Sequence, residues 1–113
     1  MKRVLAAASI YILTIPPASS ATMTIEQLRG VCASPNGSSG QTACAAYLMG
    51  VVHGLQLGTT WTKRGEPFCI PASIGSPDAI LLFNKSVSMA VDLQAAAATH
   101  WAAALAREYP CRN

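Results

Sequence analysis

The stretch ACAAYLMGVVHGLQLG, residues 43–58, has no charged side chain apart from one histidine and carries three glycines. Five of its apolar residues lie along one stripe at the spacing of one face of an α-helix. They are Cys44, Tyr47, Leu48, Val51 and Leu55. The pattern predicts a helix over about 41–59 whose apolar stripe faces the core of an all-α domain.

The glycines of this stretch form a second row, because Gly50, Gly54 and Gly58 are four residues apart. Each glycine destabilises a helix by about 1 kcal/mol relative to alanine. Three of them indicate a packing role, since small residues at this spacing let a neighbouring backbone approach closely. We expect close helix contact there, either within the chain or between two copies. A membrane span is disfavoured because the segment is short and holds His53 and Gln56 near its centre.

The first residues have the composition of a secretory signal peptide. Lys2 and Arg3 precede an apolar run over 4–15, and the small residues Ser19 and Ala21 follow it. The run is shorter than the roughly 20 residues needed to span a bilayer. The small residues fit a signal-peptidase site, so we predict cleavage directly after Ala21.

The chain is therefore predicted to divide into a signal peptide over 1–21 and one exported domain over 22–113. A domain of this length buries only about 60% of the surface that its unfolded chain exposes, so its core is small. It holds six basic and five acidic residues. This near-neutral balance, with no basic cluster longer than Lys63-Arg64, speaks against a nucleic-acid partner.

The exported domain contains four cysteines, an even number that is typical of small disulfide-bonded proteins. They allow three pairings, of which we favour Cys32 with Cys44 and Cys69 with Cys111. On the chain-entropy model these links stabilise the fold by roughly 3 and 4 kcal/mol, comparable with the whole stability of a small domain. Metal binding is the alternative, but the sequence has no Cys-x-x-Cys or His-x-x-x-His spacing.

Three further helices are predicted around the central one. The first begins at Thr24, which can exchange capping hydrogen bonds with Gln27. The apolar face of this helix consists of Ile25, Leu28 and Cys32. A loop over 34–40, rich in glycine and serine, then leads to the central helix.

The third helix has Ser76 as its predicted N-cap and Pro77 at its first position. Its apolar stripe consists of Ile80, Phe83, Val87 and Val91. We expect Asp92 to cap the fourth helix, whose stripe consists of Leu93, Ala97, Trp101, Leu105 and Tyr109. The predicted fold is therefore all-α, a small four-helix bundle-like domain stapled by two disulfides.

Catalytic and metal-binding motifs are missing from the sequence. It has no Gly-x-Ser-x-Gly, no glycine-rich phosphate loop, no His-Glu-x-x-His and no haem-attachment motif. Its carboxylates are scattered singly, and four paired cysteines would leave no thiol for a Cys–His pair. His53 and His100 could meet across two helices as a metal site or a base, but isolated histidines are more often ordinary surface residues. We predict that the protein is not an enzyme and has neither a cofactor nor a metal site.

An irregular segment is predicted to follow the central helix over about 60–75. It combines charged side chains with a tryptophan, which is the composition of a recognition surface. The candidate partner-binding residues are Trp61, Lys63, Arg64 and Glu66. The alternative role of Trp61 is that of a lid on the small core.

Three motifs follow one another along the domain: Cys44-x-x-Tyr47-x-x-Gly50 with Gly54, then Phe68-Cys69-Ile70-Pro71, then Tyr109-Pro110-Cys111. In this order they resemble the Rap/Tai immunity proteins, which protect bacteria against type VI secretion amidases. The resemblance covers about residues 26–111. The segment 91–94 departs from it, because a proline-containing break is expected there.

The resemblance implies a helical, periplasmic and often dimeric protein that binds a peptidoglycan amidase and blocks its active-site cleft with a loop. It also implies that the four cysteines are disulfide partners and that Gly50 and Gly54 are packing positions. Our hypothesis for the inhibitory contact is the segment 61–66. The alternative functions are a periplasmic acid-stress chaperone of the HdeA type, which should hold more carboxylates than the five found here, and a small helical protein that binds apolar ligands.

Overall fold

The structure is a computed structural model, and it describes residues 22–62 and 69–111, without the side chains of 59–62. The described residues form four helices: α1 (Ile25–Cys32), α2 (Ser39–Thr62), α3 (Ser76–Val87) and α4 (Ala97–Glu108). Over these ranges there is no β-strand beyond an isolated bridge between Thr24 and Ala96. The predicted all-α, four-helix fold is confirmed.

No helix in the described ranges is long and apolar enough to cross a membrane. The predicted signal peptide lies outside the described residues.

Helix α1 begins with the capping box that its sequence predicts. The Gln27 backbone N–H donates to Thr24 Oγ1 at 3.2 Å, and the Thr24 N–H donates to Gln27 Oε1 at 2.9 Å. These two bonds satisfy amides that the first turn of a helix leaves without partners. The apolar face is buried as expected at Ile25, Leu28 and Cys32.

Helix α2 buries a narrower stripe than its sequence predicts. Cys44, Leu48 and Val52 are fully buried, whereas Val51 and Leu55 are half-buried at the edges. The helix also continues to Thr62, beyond its predicted end. Trp61 therefore lies in the last turn of α2 and not on a loop, which corrects the predicted start of the irregular segment.

The beginning of α4 differs most from its prediction. Helix α4 starts at Ala97, and Asp92 caps a turn instead, because its Oδ1 accepts the Gln94 N–H at 2.9 Å. The carbonyl groups of Leu93 and Ala95 accept hydrogen bonds at 2.9 and 3.0 Å from the first amides of α1. These carbonyls are thereby fixed to another helix and are unavailable for a helical turn of their own.

Val91 also lies outside the core, contrary to its prediction. It was expected on the apolar stripe of α3, but that helix ends at Val87 and Val91 is fully exposed on the connection to α4. At the other end of α3, the residue that caps the helix is Gly75, whose N–H donates to Asp78 Oδ2 at 3.3 Å. Ser76, the predicted cap, is therefore the first residue of the helix.

Trp101 lies at the centre of the core, where three helices meet. Its indole packs edge to face against Phe83 of α3, with 6.1 Å between the ring centroids. Its Nε1–H donates to the carbonyl oxygen of Leu48 in α2 at 3.0 Å. All three residues are fully buried. A single side chain thus joins α4 to both α2 and α3, through an aromatic contact and a satisfied polar group.

Both favoured disulfides are present. Cys32 is bonded to Cys44, which joins the end of α1 to the beginning of α2, and Cys69 is bonded to Cys111, which joins the start of the described 69–75 segment to the end of the domain. None of the four cysteines is free. The first link thus joins two helices directly, and the second joins the segment before α3 to the residues after α4.

Candidate interaction surface

Most of the predicted partner-binding segment lies outside the described residues. This applies to Lys63, Arg64 and Glu66, and the side chain of Trp61 is not described either. The structure does describe the two points between which the segment runs. It leaves the end of α2 at Thr62 and arrives at Cys69, whose N–H donates to the Tyr109 carbonyl oxygen at 2.7 Å. The far end of the segment is therefore attached to the end of α4 by a hydrogen bond and a disulfide.

The glycine row of α2 faces outward. Gly50, Gly54 and Gly58 are exposed, and a Cβ atom on Gly50 or Gly54 would meet no described atom within 4 Å. The expected close contact within the chain is therefore not found among the described residues. The same face carries His53 and Leu57, and Leu57 is 56% exposed. Contact between two copies, the other predicted explanation for these glycines, stays a prediction.

A groove of about 470 Å³ runs between the first turns of α2 and α3. Its apolar lining includes Ile80 and Leu81, and Leu81 is 73% exposed. The polar lining includes Asn84 and Gln41, whose Nε2 donates to Asn36 Oδ1 at 2.9 Å. None of the described residues that line the groove is charged. An apolar floor with a polar, uncharged rim is the composition found at the centres of protein–protein contacts.

His100 and His53, the two histidines considered for a metal site or a base, have different surroundings. His53 is exposed on α2, whereas His100 is half-buried against α3, with its ring edge to face against Phe83. His100 Nε2 lies 3.0 Å from Ser86 Oγ. The Ser86 hydroxyl already donates to the Phe83 carbonyl at 2.7 Å, so its oxygen accepts from Nε2–H. Over the described ranges, no cluster of three side chains could hold a metal ion.

The environment of His100 disfavours its protonated form. Burial lowers the pKa of this imidazole, and the positive charge of Arg107 lowers it further. Protonation would place the new hydrogen on Nδ1, and the bond from Nε2–H to Ser86 would persist. The Ser86–His100 pair is therefore a structural link between α3 and α4, and its free energy depends on pH through desolvation and charge repulsion.

We expect the stability of the domain to fall as the pH is lowered through about 6.5, the unfolded-state pKa of histidine. Because the folded-state pKa of His100 is lowered, the unfolded chain binds the proton more readily. The loss is complete once the pH lies below the folded-state pKa. His100→Gln, whose amide nitrogen can take the place of Nε2 as donor to Ser86 but does not titrate, should flatten this part of the stability profile measured by urea denaturation. His53→Gln is the matched control and should retain the fall; an unchanged profile in His100→Gln would contradict the assignment.

Comparison with known proteins gives the family. A model of the Rap1a immunity proteins matches residues 24–111, which include all four helices and both disulfides. The chain belongs to this family. The resemblance inferred from the cysteine and glycine motifs is thus confirmed. No curated protein and no solved structure matches the chain. Membership of the Rap1a family indicates an immunity protein directed against a secreted effector, with an inhibitory role.

Proposed function

We propose that this Rap1a-family protein is a periplasmic inhibitor that binds one type VI secretion peptidoglycan amidase and occludes its active-site cleft. The predicted signal peptide over 1–21 supports the compartment, and the resemblance of the cysteine and glycine motifs to the Rap/Tai proteins supports the target class. Occlusion requires shape and contact area and uses no catalytic group. A small helical scaffold without a recognisable catalytic motif is suited to that task.

The observation that carries the proposal is the attachment of the segment 63–68 to the helical core. Helix α2 fixes its beginning at Thr62, and Cys69 fixes its end through the disulfide to Cys111 and the hydrogen bond to Tyr109. Restraining both ends of a segment lowers the conformational entropy that it loses on binding. We assign the contact with the amidase to this segment and to Trp61 beside it, with Lys63, Arg64 and Glu66 as its charged residues.

The proposal is tested by mixing the exported domain with amidase effectors encoded next to its gene and measuring peptidoglycan cleavage. We expect cleavage by one amidase to stop at an equimolar ratio. The double variant Lys63→Ala/Arg64→Ala should weaken inhibition about tenfold or more, as loss of interface anchors does. Its melting temperature should equal that of the wild type.

The matched control is Arg29→Ala, which removes an exposed arginine of α1 that is ion-paired with Glu26 at 2.8 Å. An exposed pair of this kind contributes about 0–1 kcal/mol, so both inhibition and stability should change little. Undiminished cleavage by every amidase at excess protein would overturn the proposal. Protection of a general substrate from aggregation at low pH, together with an active amidase, would favour the chaperone alternative instead.

We also propose that a second copy of the protein covers the glycine face of α2. Leucine at position 54 should then split the dimer, because its side chain would occupy the space of the partner backbone. The monomer should stay folded, since no described atom lies within 4 Å of a Cβ on Gly54. Gly30→Leu is the matched control, because Gly30 is also an exposed helical glycine with open space around it. An unchanged mass of Gly54→Leu in light scattering would disprove dimerisation through this face.

A further inference from the structure

Two basic side chains that have no anionic partner among the described residues line one groove at the surface between α3 and α4. The described ranges contain three lysine or arginine side chains: Arg29, Lys85 and Arg107. Arg29 is paired with Glu26. Lys85 and Arg107 form no ion pair within the described part of the chain, and both line one groove of about 140 Å³. We call this the basic groove.

The remainder of the basic groove is mostly apolar. Leu82 and Ala104 lie along it, and Met89 at the end of α3 is 62% exposed. The lining also includes one carboxylate, that of Glu108. Two cations against one anion leave the groove with a net positive charge. An exposed methionine is a flexible apolar side chain that adapts to different partner surfaces.

The helices that form the basic groove are rigidly joined. Ser86 next to Lys85 bonds to His100, and Phe83 packs against Trp101. The positive charge of Arg107 also acts on His100 in the same helix. Burial is the larger cause of the lowered pKa of His100, and this charge is the second. Lys85 and Arg107 therefore project from two helices that contact each other, and neither forms an ion pair with a carboxylate of the described ranges.

We infer that the basic groove binds an acidic residue of the effector, with an adjacent apolar residue of the effector resting on Met89 and Leu82. This inference rests on the proposed function. Charge complementarity supports this occupant, because a carboxylate placed between Lys85 and Arg107 can accept charge-assisted hydrogen bonds from both. The volume admits a single side chain and not a folded segment. A nucleic acid is a poor fit, because two cations beside a carboxylate give too small a phosphate-binding surface.

The first test uses defined probes and needs no effector. Two acetylated peptides of alternating leucine and glutamate, or leucine and glutamine, are titrated into the exported domain while the Met89 methyl and Arg107 guanidinium signals are followed by NMR. We expect the glutamate peptide to shift both signals and the glutamine peptide to shift neither. The Met89 shift should vanish in Lys85→Gln/Arg107→Gln, and both shifts should persist in Arg29→Gln. Equal shifts with both peptides, or none with the glutamate peptide, would overturn the inference.

The second test measures effector inhibition and separates the two proposals. Lys85→Gln/Arg107→Gln should weaken inhibition about tenfold, with a steeper loss at low ionic strength, where the two charges act most strongly. Full inhibition by this variant would reject the basic groove while leaving the proposed function intact. If the wild-type protein does not inhibit any amidase, the proposed function is wrong. The peptide titration then still shows whether the basic groove prefers carboxylates.

Discussion

Replacement of Trp101 by alanine should lower the free energy of unfolding by about 3–5 kcal/mol, the range found for removal of a buried aromatic residue. The indole is fully buried and joins α4 to Phe83 and to the Leu48 carbonyl. Its removal would leave a cavity at the point where three helices meet. Since small domains have a total stability near the lower end of about 5–15 kcal/mol, we expect a substantial unfolded fraction at 37 °C. Urea denaturation followed by circular dichroism measures the change.

Two further variants identify the cause of that loss. Trp101→Phe keeps an aromatic ring near Phe83 but removes the donor to Leu48, so it should lose less than the alanine variant, about 1–3 kcal/mol. Leu81→Ala is the control for an apolar residue of similar helical context, because Leu81 is 73% exposed and its loss should change stability by no more than about 0.5 kcal/mol. A Trp101→Ala protein as stable as Leu81→Ala would show that the core is not organised around the indole.

The core was largely predictable from the spacing of apolar residues. Leu48, Phe83, Trp101 and Leu105 were all placed on predicted stripes, and all are fully buried. Such stripes are local, since every member lies on one helix and the period is fixed by helix geometry. The capping box of α1 was predictable for the same reason, because its two hydrogen bonds join residues three positions apart.

The predictions from sequence are wrong where distant parts of the chain form hydrogen bonds with the same backbone groups. The segment before α4 looks helical by itself, yet Leu93 and Ala95 give their carbonyl groups to the first turn of α1. Val91 is exposed for the same reason, since α3 ends before reaching it. Local pattern cannot reveal such long-range pairing. The glycines of α2 illustrate a related limit: their spacing indicates contact but does not say whether the contact lies within the chain.

The interaction surfaces were less predictable than the core. Only composition points to the segment 61–66, because a tryptophan and several charged residues stand close together in the sequence. The basic groove had no such signal. Lys85 and Arg107 are on different helices, and each resembles an ordinary solvated side chain until the packing of α3 against α4 brings both into one groove. A surface formed by several helices can therefore be recognised only when the three-dimensional fold is known.

Removal of the disulfide between Cys69 and Cys111 should lower stability by about 4 kcal/mol on the chain-entropy model, because the link closes a long loop. The two cysteines are 42 positions apart, compared with 12 for Cys32 and Cys44, whose removal should cost about 3 kcal/mol from chain entropy alone. Cys32 and Cys44 are also buried in the core, so their alanine variant loses packing in addition. We expect both double alanine variants to melt well below the wild type when followed by circular dichroism.

The two variants should differ in their inhibition of the amidase even under conditions in which both are folded. Cys69 fixes the end of the segment 63–68, whereas the Cys32–Cys44 link joins α1 to α2 and does not hold this segment. At a temperature low enough for both variants to remain folded, Cys69→Ala/Cys111→Ala should inhibit the amidase more weakly than Cys32→Ala/Cys44→Ala. The reason is that the released segment must be ordered at the moment of binding. Equal inhibition by the two folded variants would mean that the covalent anchor stabilises the domain but contributes nothing to recognition.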